Sequence, residues 1–137
     1  MQVSEVMHQG VTMAQIGDSF QRVANLMKKN DIGIVPIYKN ERPVGIVTDR
    51  DIVVSGLAHG HRPDEPISLA MTHKVISVYE DQNINEAIHL MEENQISRLL
   101  VLDRGERPVG VLSLQDLARE MPDDHTKAEV LSEIKRS

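Results

Sequence analysis

Apolar residues recur at helical spacing in two separate stretches: Phe20, Val23, Ala24 and Met27 in the first, Ile84, Ala87, Ile88 and Met91 in the second. Positions three and four apart share one helix face, so each stretch predicts an amphipathic helix with one side against a core. Asp18-Ser19-Phe20-Gln21 and Asn83-Ile84-Asn85-Glu86 each set a capping residue three before Gln or Glu, the spacing of a capping box. After each helix the period changes. Short apolar runs follow (IVPIY at 34–38, LLVL at 99–102), then a polar turn, then VGIV at 44–47 or VGVL at 109–112. Runs of that length predict a hairpin or adjacent strands. Thr48 and Ser113 then open a second helix, ending near Gly56–Gly60 and at Pro122.

The two halves repeat each other. ERPVGIVTDRDI (41–52) returns as ERPVGVLSLQDL (106–117), VSEVMHQGVT (3–12) aligns with ISLAMTHKVI (67–76), and VANLMKKNDIG (23–33) aligns with AIHLMEENQIS (87–97). The offset is 64 until the turn around Asp103-Arg104-Gly105, where one extra residue makes it 65. Each copy reads β-α-β-β-α, preceded by a helical turn (3–7, 67–71). This predicts an α/β chain of the α+β type: repeat 1 at 1–58, a linker at 59–66, repeat 2 at 67–121 and a tail at 122–137. Two copies of a unit this small are expected to pair, each burying the apolar face of the other. In the tail, Thr126-Lys127-Ala128-Glu129 has capping-box spacing and Val130, Leu131 and Ile134 form an apolar edge, predicting a docked terminal helix.

Composition narrows the partners. A net charge of −6 argues against a nucleic-acid backbone. Phe20, Tyr38 and Tyr79 are the only aromatics, so bases have no stacking platform and a planar ligand would be gripped by aliphatic side chains. With no cysteine, disulfides and Cys-based zinc sites are excluded. The N-terminus lacks a signal-peptide pattern and no apolar run approaches a membrane span, so a cytoplasmic protein is expected, with no membrane partner.

Chemistry concentrates in the repeated Thr/Ser-x-x-Asp corner. Thr48…Asp51 and Ser113…Asp116 have the spacing of plain helix caps, hydroxyl to amide and carboxylate to the positive helix end. The same spacing suits a nucleoside phosphate: a carboxylate there can accept ribose hydroxyls, a cap hydroxyl can serve ribose or phosphate, and Gly45 or Gly110 lets backbone approach closely. Spacing alone leaves both readings open.

The whole repeat resembles a CBS domain, the cystathionine β-synthase-type module, and the tandem resembles a CBS pair or Bateman module. The resemblance is carried by the VM…VT opening, LMKKN and LMEEN, IGIVPI and ISRLLVL, and the closing VGIVTDRDI and VGVLSLQDL, over about residues 1–121. It is strongest to stand-alone two-CBS proteins. Such a resemblance implies two repeats packed with pseudo-twofold symmetry, a homodimer, and an adenosyl ligand in clefts between the repeats: AMP, ADP or ATP, with S-adenosylmethionine or NAD-type molecules as further candidates. No cofactor is required. Carried across, Asp51 and Asp116 would hold ribose, Thr48 and Ser113 ribose or phosphate, and Arg98 phosphate. Gln9 to Val11, and Lys74 with Val75, would lie against the base. Ile34 stands where the second repeat has Arg98, so the two sites would bind phosphate unequally. Arg50 either supplies the missing charge or is a solvated helix residue. The Asp116 corner, with Arg98 beside it, is the one expected to be occupied. The implied role is regulatory: bind ligand and signal to a protein partner. The rival is a ligand-free dimerisation or interaction module.

Other residues carry less. His59-Gly60-His61 lies near Asp64 and Glu65 but lacks a third ligand at regular spacing, so no metal site is expected. His8 and His73, at equivalent places, are expected at the rim of the clefts and His89 on a helix surface. No nucleophile–base–orienter set and no Walker loop is present, which predicts a non-enzyme that senses nucleotide without hydrolysing it.

Overall fold

The computed structural model describes residues 1–73 and 75–120. In chain order the regular elements are β1 (His8–Gln9), β2 (Ala14–Gln15), α1 (Phe20–Asn30), β3 (Ile34–Lys39), β4 (Arg42–Thr48), α2 (Asp49–Asp51), β5 (Ser77–Tyr79), α3 (Ile84–Asn94), β6 (Arg98–Leu102), β7 (Pro108–Ser113) and α4 (Leu114–Glu120). Helices and mixed sheets make the chain α+β. It divides into two compact units, one of Thr12–Val75 and one joining Met1–Val11 to the chain from Ile76 onward. These units cut across the sequence repeats. The lead-in of each repeat, residues 3–11 or 67–73, belongs to the unit built from the body of the other repeat.

In the Thr12–Val75 unit, β2 runs parallel to β3 and β3 antiparallel to β4, in register from Ile34↔Thr48 to Lys39↔Arg42 with an irregularity at Ile37/Tyr38. In the other unit the order is β1-β7-β6-β5, with β5 parallel to β6 and the remaining pairs antiparallel. Thr72 plays the part of β1 in the first unit through an antiparallel bridge to Ile46.

Helix α1 buries Phe20, Val23 and Met27 against Val35, Ile37, Val47 and Ile67. Helix α3 buries Ala87, Ile88 and Met91 against Val78, Leu99, Val101 and Leu112, with Val3 and Val6 from the lead-in. Three local expectations change. Ser19, not Asp18, caps α1 by accepting the Arg22 N–H at 3.1 Å, while the Asp18 carboxylate takes the Gln15 N–H at 2.9 Å. Ala24 is exposed, and half-buried Leu26 packs against the core in its place. At α3 the Asn83 cap forms, accepting the Asn85 N–H at 2.9 Å, but Glu86 pairs with the Gln82 amide and does not close the box. The expected terminal helix at 126–134 and the helix end at Pro122 lie outside the described residues.

The second helix of repeat 1 is irregular. Asp49–Asp51 is α-helical, Ile52–Gly56 is a π-helical turn, and Leu57–His59 is a 3-10 turn stopped by Gly60 at φ 82°. Gly56 rests on the Phe20 ring, where an added Cβ would stand 2.6 Å from a ring carbon. The segment therefore follows the ring more closely than any larger residue would permit.

Gly45 and Gly110 serve the lead-in segments. A Cβ on Gly45 would stand 2.6 Å from the Thr72 carbonyl oxygen, and one on Gly110 would stand 2.5 Å from that of His8. Met71 and Met7 flank the two glycines at 3.2 and 2.9 Å from the same added atoms. One crossing is built twice.

Candidate functional site

Each Thr/Ser-x-x-Asp corner forms where a hairpin's second strand runs into a helix. At the first, the Thr48 hydroxyl accepts the Asp51 N–H at 3.1 Å while Asp51 Oδ2 accepts the Thr48 N–H at 2.9 Å. At the second, Ser113 and Asp116 repeat both bonds at 3.1 and 2.9 Å. Both are reciprocal capping boxes, complete without a ligand. Thr48 and Asp116 are buried, at 7% exposure each, while Ser113 and Asp51 are half-buried.

Capping uses one carboxylate oxygen. Among the described residues Asp51 Oδ1 accepts no hydrogen bond, whereas Asp116 Oδ1 is taken by the Arg119 guanidinium. The sequence reading passed over Arg119. Its signal was the Asp116–Arg119 spacing of three, which places two opposite charges on one helix face.

Arg98 begins β6 directly across the ladder from Ser113, and opposite residues in a ladder share a sheet face. In the other unit Ile34 stands across from Thr48. Arg50 is exposed in the first turn of α2, its backbone N–H bonded to the Asp49 carboxylate. The segment expected against a base is also present. Gln9 pairs with Gly110, the Gly10 N–H donates to the Val109 carbonyl, and Val11 follows half-buried. From Val109 to Ser113 is four residues of strand, about 13 Å. The unit thus holds Gln9, Val11, Arg98, Ser113 and Asp116. The other unit holds Thr48, Asp51, Arg50 and half-buried Val75, and its lead-in crosses β4 at Thr72↔Ile46. Lys74 lies outside the described residues.

The histidines do not converge. His61 stacks on Phe20 at 5.9 Å and its Nδ1 lies 3.4 Å from Glu65, with His59 parallel to it at 6.5 Å. Among the described residues no three His, Cys, Asp or Glu side chains group as metal ligands. His8, His73 and His89 are exposed. No helix among the described residues is long and apolar enough to cross a membrane.

The family model of the CBS domain matches residues 3–56 and 67–123. An uncharacterised protein of Methanopyrus kandleri is 33% identical over 122 residues, covering 88% of this chain, which spans 62% of that protein's length. Hypoxic response protein 1 of Mycobacterium tuberculosis is 35% identical over 122 residues, covering 87% of this chain and 84% of its own. A crystal structure of Hypoxic Response Protein I with two coordinated zinc ions superposes with a TM-score of 0.75 at 34% identity, covering 89% of this chain and 100% of that one. A CBS domain pair crystallised with 5′-methylthioadenosine and S-adenosyl-L-methionine superposes at 0.76 with 28% identity, covering 87% of this chain and 94% of that one.

Proposed function

From the premise that the chain belongs to the CBS domain family, carrying two copies of that domain, we propose that it is a regulatory adenosyl-ligand-binding protein. AMP, ADP, ATP, S-adenosylmethionine and NAD-type molecules are the candidates. Ligand state would be passed to a protein partner in the cytoplasm, with no reaction catalysed by the chain itself. One observation carries the reading: the Asp51 corner is fully capped, yet keeps a carboxylate oxygen with no hydrogen bond among the described residues. Two ribose hydroxyls are the complement of such an oxygen beside a buried cap hydroxyl. A CBS pair 28% identical to this chain that takes adenosyl compounds adds support.

Asp51 and Asp116 would hold ribose, Thr48 and Ser113 ribose or phosphate, Arg98 phosphate, and Val11 and Val75 the base. Homodimerisation belongs to the same proposal. The exposed Val53, Val54 and Leu57 on one helical segment are the apolar surface that supports it. A ligand can shift the state a partner reads only through its differential affinity for two states.

A second reading has its own observation. Both capping boxes are satisfied without ligand, as an interaction module with no small-molecule site requires. A thermal-shift panel of AMP, ADP, ATP, NADH and S-adenosylmethionine separates them. A ligand at 100 times its Kd stabilises by about 2.7 kcal/mol, or roughly 2–8 °C at this size. We expect such a shift from one compound, reduced by Asp51→Ala or Asp116→Ala. No shift across the panel, confirmed by calorimetry, would favour the interaction module.

A further inference from the structure

We propose that the exposed face of α1 docks α3 of a second copy of this chain, so that the basic helix of one repeat joins the acidic helix of the other across two copies. The inference rests on the homodimer part of the proposed function, names the two surfaces that meet, and needs no ligand.

Helix α1 (Phe20–Asn30) carries Arg22, Lys28 and Lys29 and no acidic residue, while α3 (Ile84–Asn94) carries Glu86, Glu92 and Glu93 and no Lys or Arg. At the repeat offset of 64 these are the same three positions with the sign reversed. The surroundings match as well. A shallow groove of about 350 Å³ on α1 is lined by Ser19, Gln21, Arg22, Asn25, Leu26 and Lys29. Its centre is half-buried Leu26, with exposed Arg22 and Lys29 about one turn to either side. On α3 the equivalent face has half-buried Leu90 between exposed Glu86 and Glu93. Laid together, the faces set leucine on leucine with opposite charges at both ends. Because both ends of each stripe share a sign, the match holds whichever way the helices run.

The charges have local partners, all exposed. Arg22 lies 3.4 Å from Asp18, His89 lies 3.6 Å from Glu93, and the Glu86 carboxylate takes the Gln82 amide. Surface pairs of this kind hold weakly. With flanking Asp18 and Asp31 counted, α1 remains positive, and with His89 protonated α3 remains negative. The helix dipole accounts for only one of the two patterns. Lys28 and Lys29 complement the negative end of α1, whereas Glu92 and Glu93 crowd the same end of α3, whose last turn has no basic residue. A basic helix from another copy relieves that repulsion. The segment that rests on Phe20 through Gly56 also exposes Val53, Val54 and Leu57, which adds apolar area beside α1.

Sedimentation of the full chain without ligand tests this. Wild type should self-associate, and more weakly in about 1 M salt, where the screening length falls to about 3 Å. Lys28→Glu with Lys29→Glu should weaken association about 10-fold, and so should Glu92→Lys with Glu93→Lys. The second pair of substitutions improves a helix end, so at a dilution where wild type is monomeric it should melt no lower than wild type. Weaker association with an undamaged fold is a result that a purely structural role for these glutamates would not give. Mixing the two double variants, one with both helices acidic and one with both basic, should produce a mixed complex. All four substitutions in one chain should restore self-association. A monomeric wild type overturns the proposal. So does an assembly indifferent to these charges, which would place the contact on another surface, and so does a fourfold variant that stays apart. None of these outcomes bears on ligand binding, which the thermal-shift panel tests separately.

Discussion

The carbonyl oxygen of His8 lies where a side chain on Gly110 would begin, 2.5 Å from an added Cβ. His8 comes from the lead-in of the first repeat and Gly110 from a strand of the second, so this contact fastens two distant parts of the chain into one unit. Gly45 and Thr72 make the reciprocal contact at 2.6 Å. Gly110→Ala and Gly45→Ala should each destabilise by about 1–3 kcal/mol, because the obstructing atom is backbone and cannot rotate away. Gly17 meets nothing within 4 Å, so Gly17→Ala is the control and should leave the melting temperature close to wild type. Equal melting temperatures for all three variants would mean the lead-ins do not cross as described.

The capping boxes predict a loss that needs no ligand. Thr48→Ala removes the acceptor for the Asp51 N–H and should cost about 1 kcal/mol in denaturant unfolding of the apo protein. Asp51→Ala should cost a similar amount, and the double variant less than the sum, since each residue caps the other. Strict additivity would show that the two bonds do not act as a box. Ligand affinity measured on the same proteins then separates the capping role of Asp51 from its proposed ribose role.

Most of this architecture was legible from period and repetition. Helical spacing at Val23, Met27, Ala87, Ile88 and Met91 marked buried faces, because burial selects residue type at those positions directly. The repeated Thr/Ser-x-x-Asp spacing marked both boxes because their geometry is local. Less legible was whatever depended on a residue far along the chain. The glycines signalled a close approach, but only the structure identifies the Thr72 and His8 backbones as the approaching parties. Nor does local pattern reveal that each lead-in joins the other repeat's body, since pairing of His8 with Val111 spans most of the sequence. Arg119 was missed for another reason: an exposed Arg near a helix end is common, and its importance lies in the one carboxylate oxygen it occupies.

The extra residue in the second hairpin turn is accommodated by Asp103. Its Oδ1 accepts the N–H groups of Gly105 at 2.9 Å and Arg107 at 3.0 Å, and its Oδ2 meets Arg107 Nε at 3.1 Å. The Arg107 backbone N–H first, then its guanidinium and the Gly105 N–H, hold the carboxyl below its ordinary value of 3.8, against a smaller opposing effect of burial. A depressed folded-state pKa stabilises above the unfolded value and loses that stabilisation as pH falls through the folded one. The melting-temperature difference between wild type and Asp103→Ala should therefore be full at neutral pH and shrink below 3.8. A carboxyl carbon titration by NMR should find the Asp103 midpoint below that of an unstructured aspartate. A midpoint at or above 3.8 would show that the turn does not grip the anion.

Tyr38 occupies the place that Leu102 fills in the second repeat, and its phenol is the odd element of the otherwise apolar run 34–38. The residue is 8% exposed, and among the described residues its hydroxyl finds no hydrogen-bond partner. Burial also pushes its pKa above the ordinary 10.0, as expected when an anion would have to form away from water. An orphaned hydroxyl costs about 1–3 kcal/mol in lost hydration, and removing it leaves the ring's packing intact. Tyr38→Phe should therefore be neutral or stabilising, by up to about 1 kcal/mol, a rise of some 3–5 °C in melting temperature at this size. Tyr38→Leu, which copies the other repeat, should instead lose stability because it leaves ring volume unfilled. Should Tyr38→Phe destabilise by more than about 1 kcal/mol, the hydroxyl has a partner after all. Its identity would then be the first thing to seek, beginning with an ordered water in a high-resolution structure.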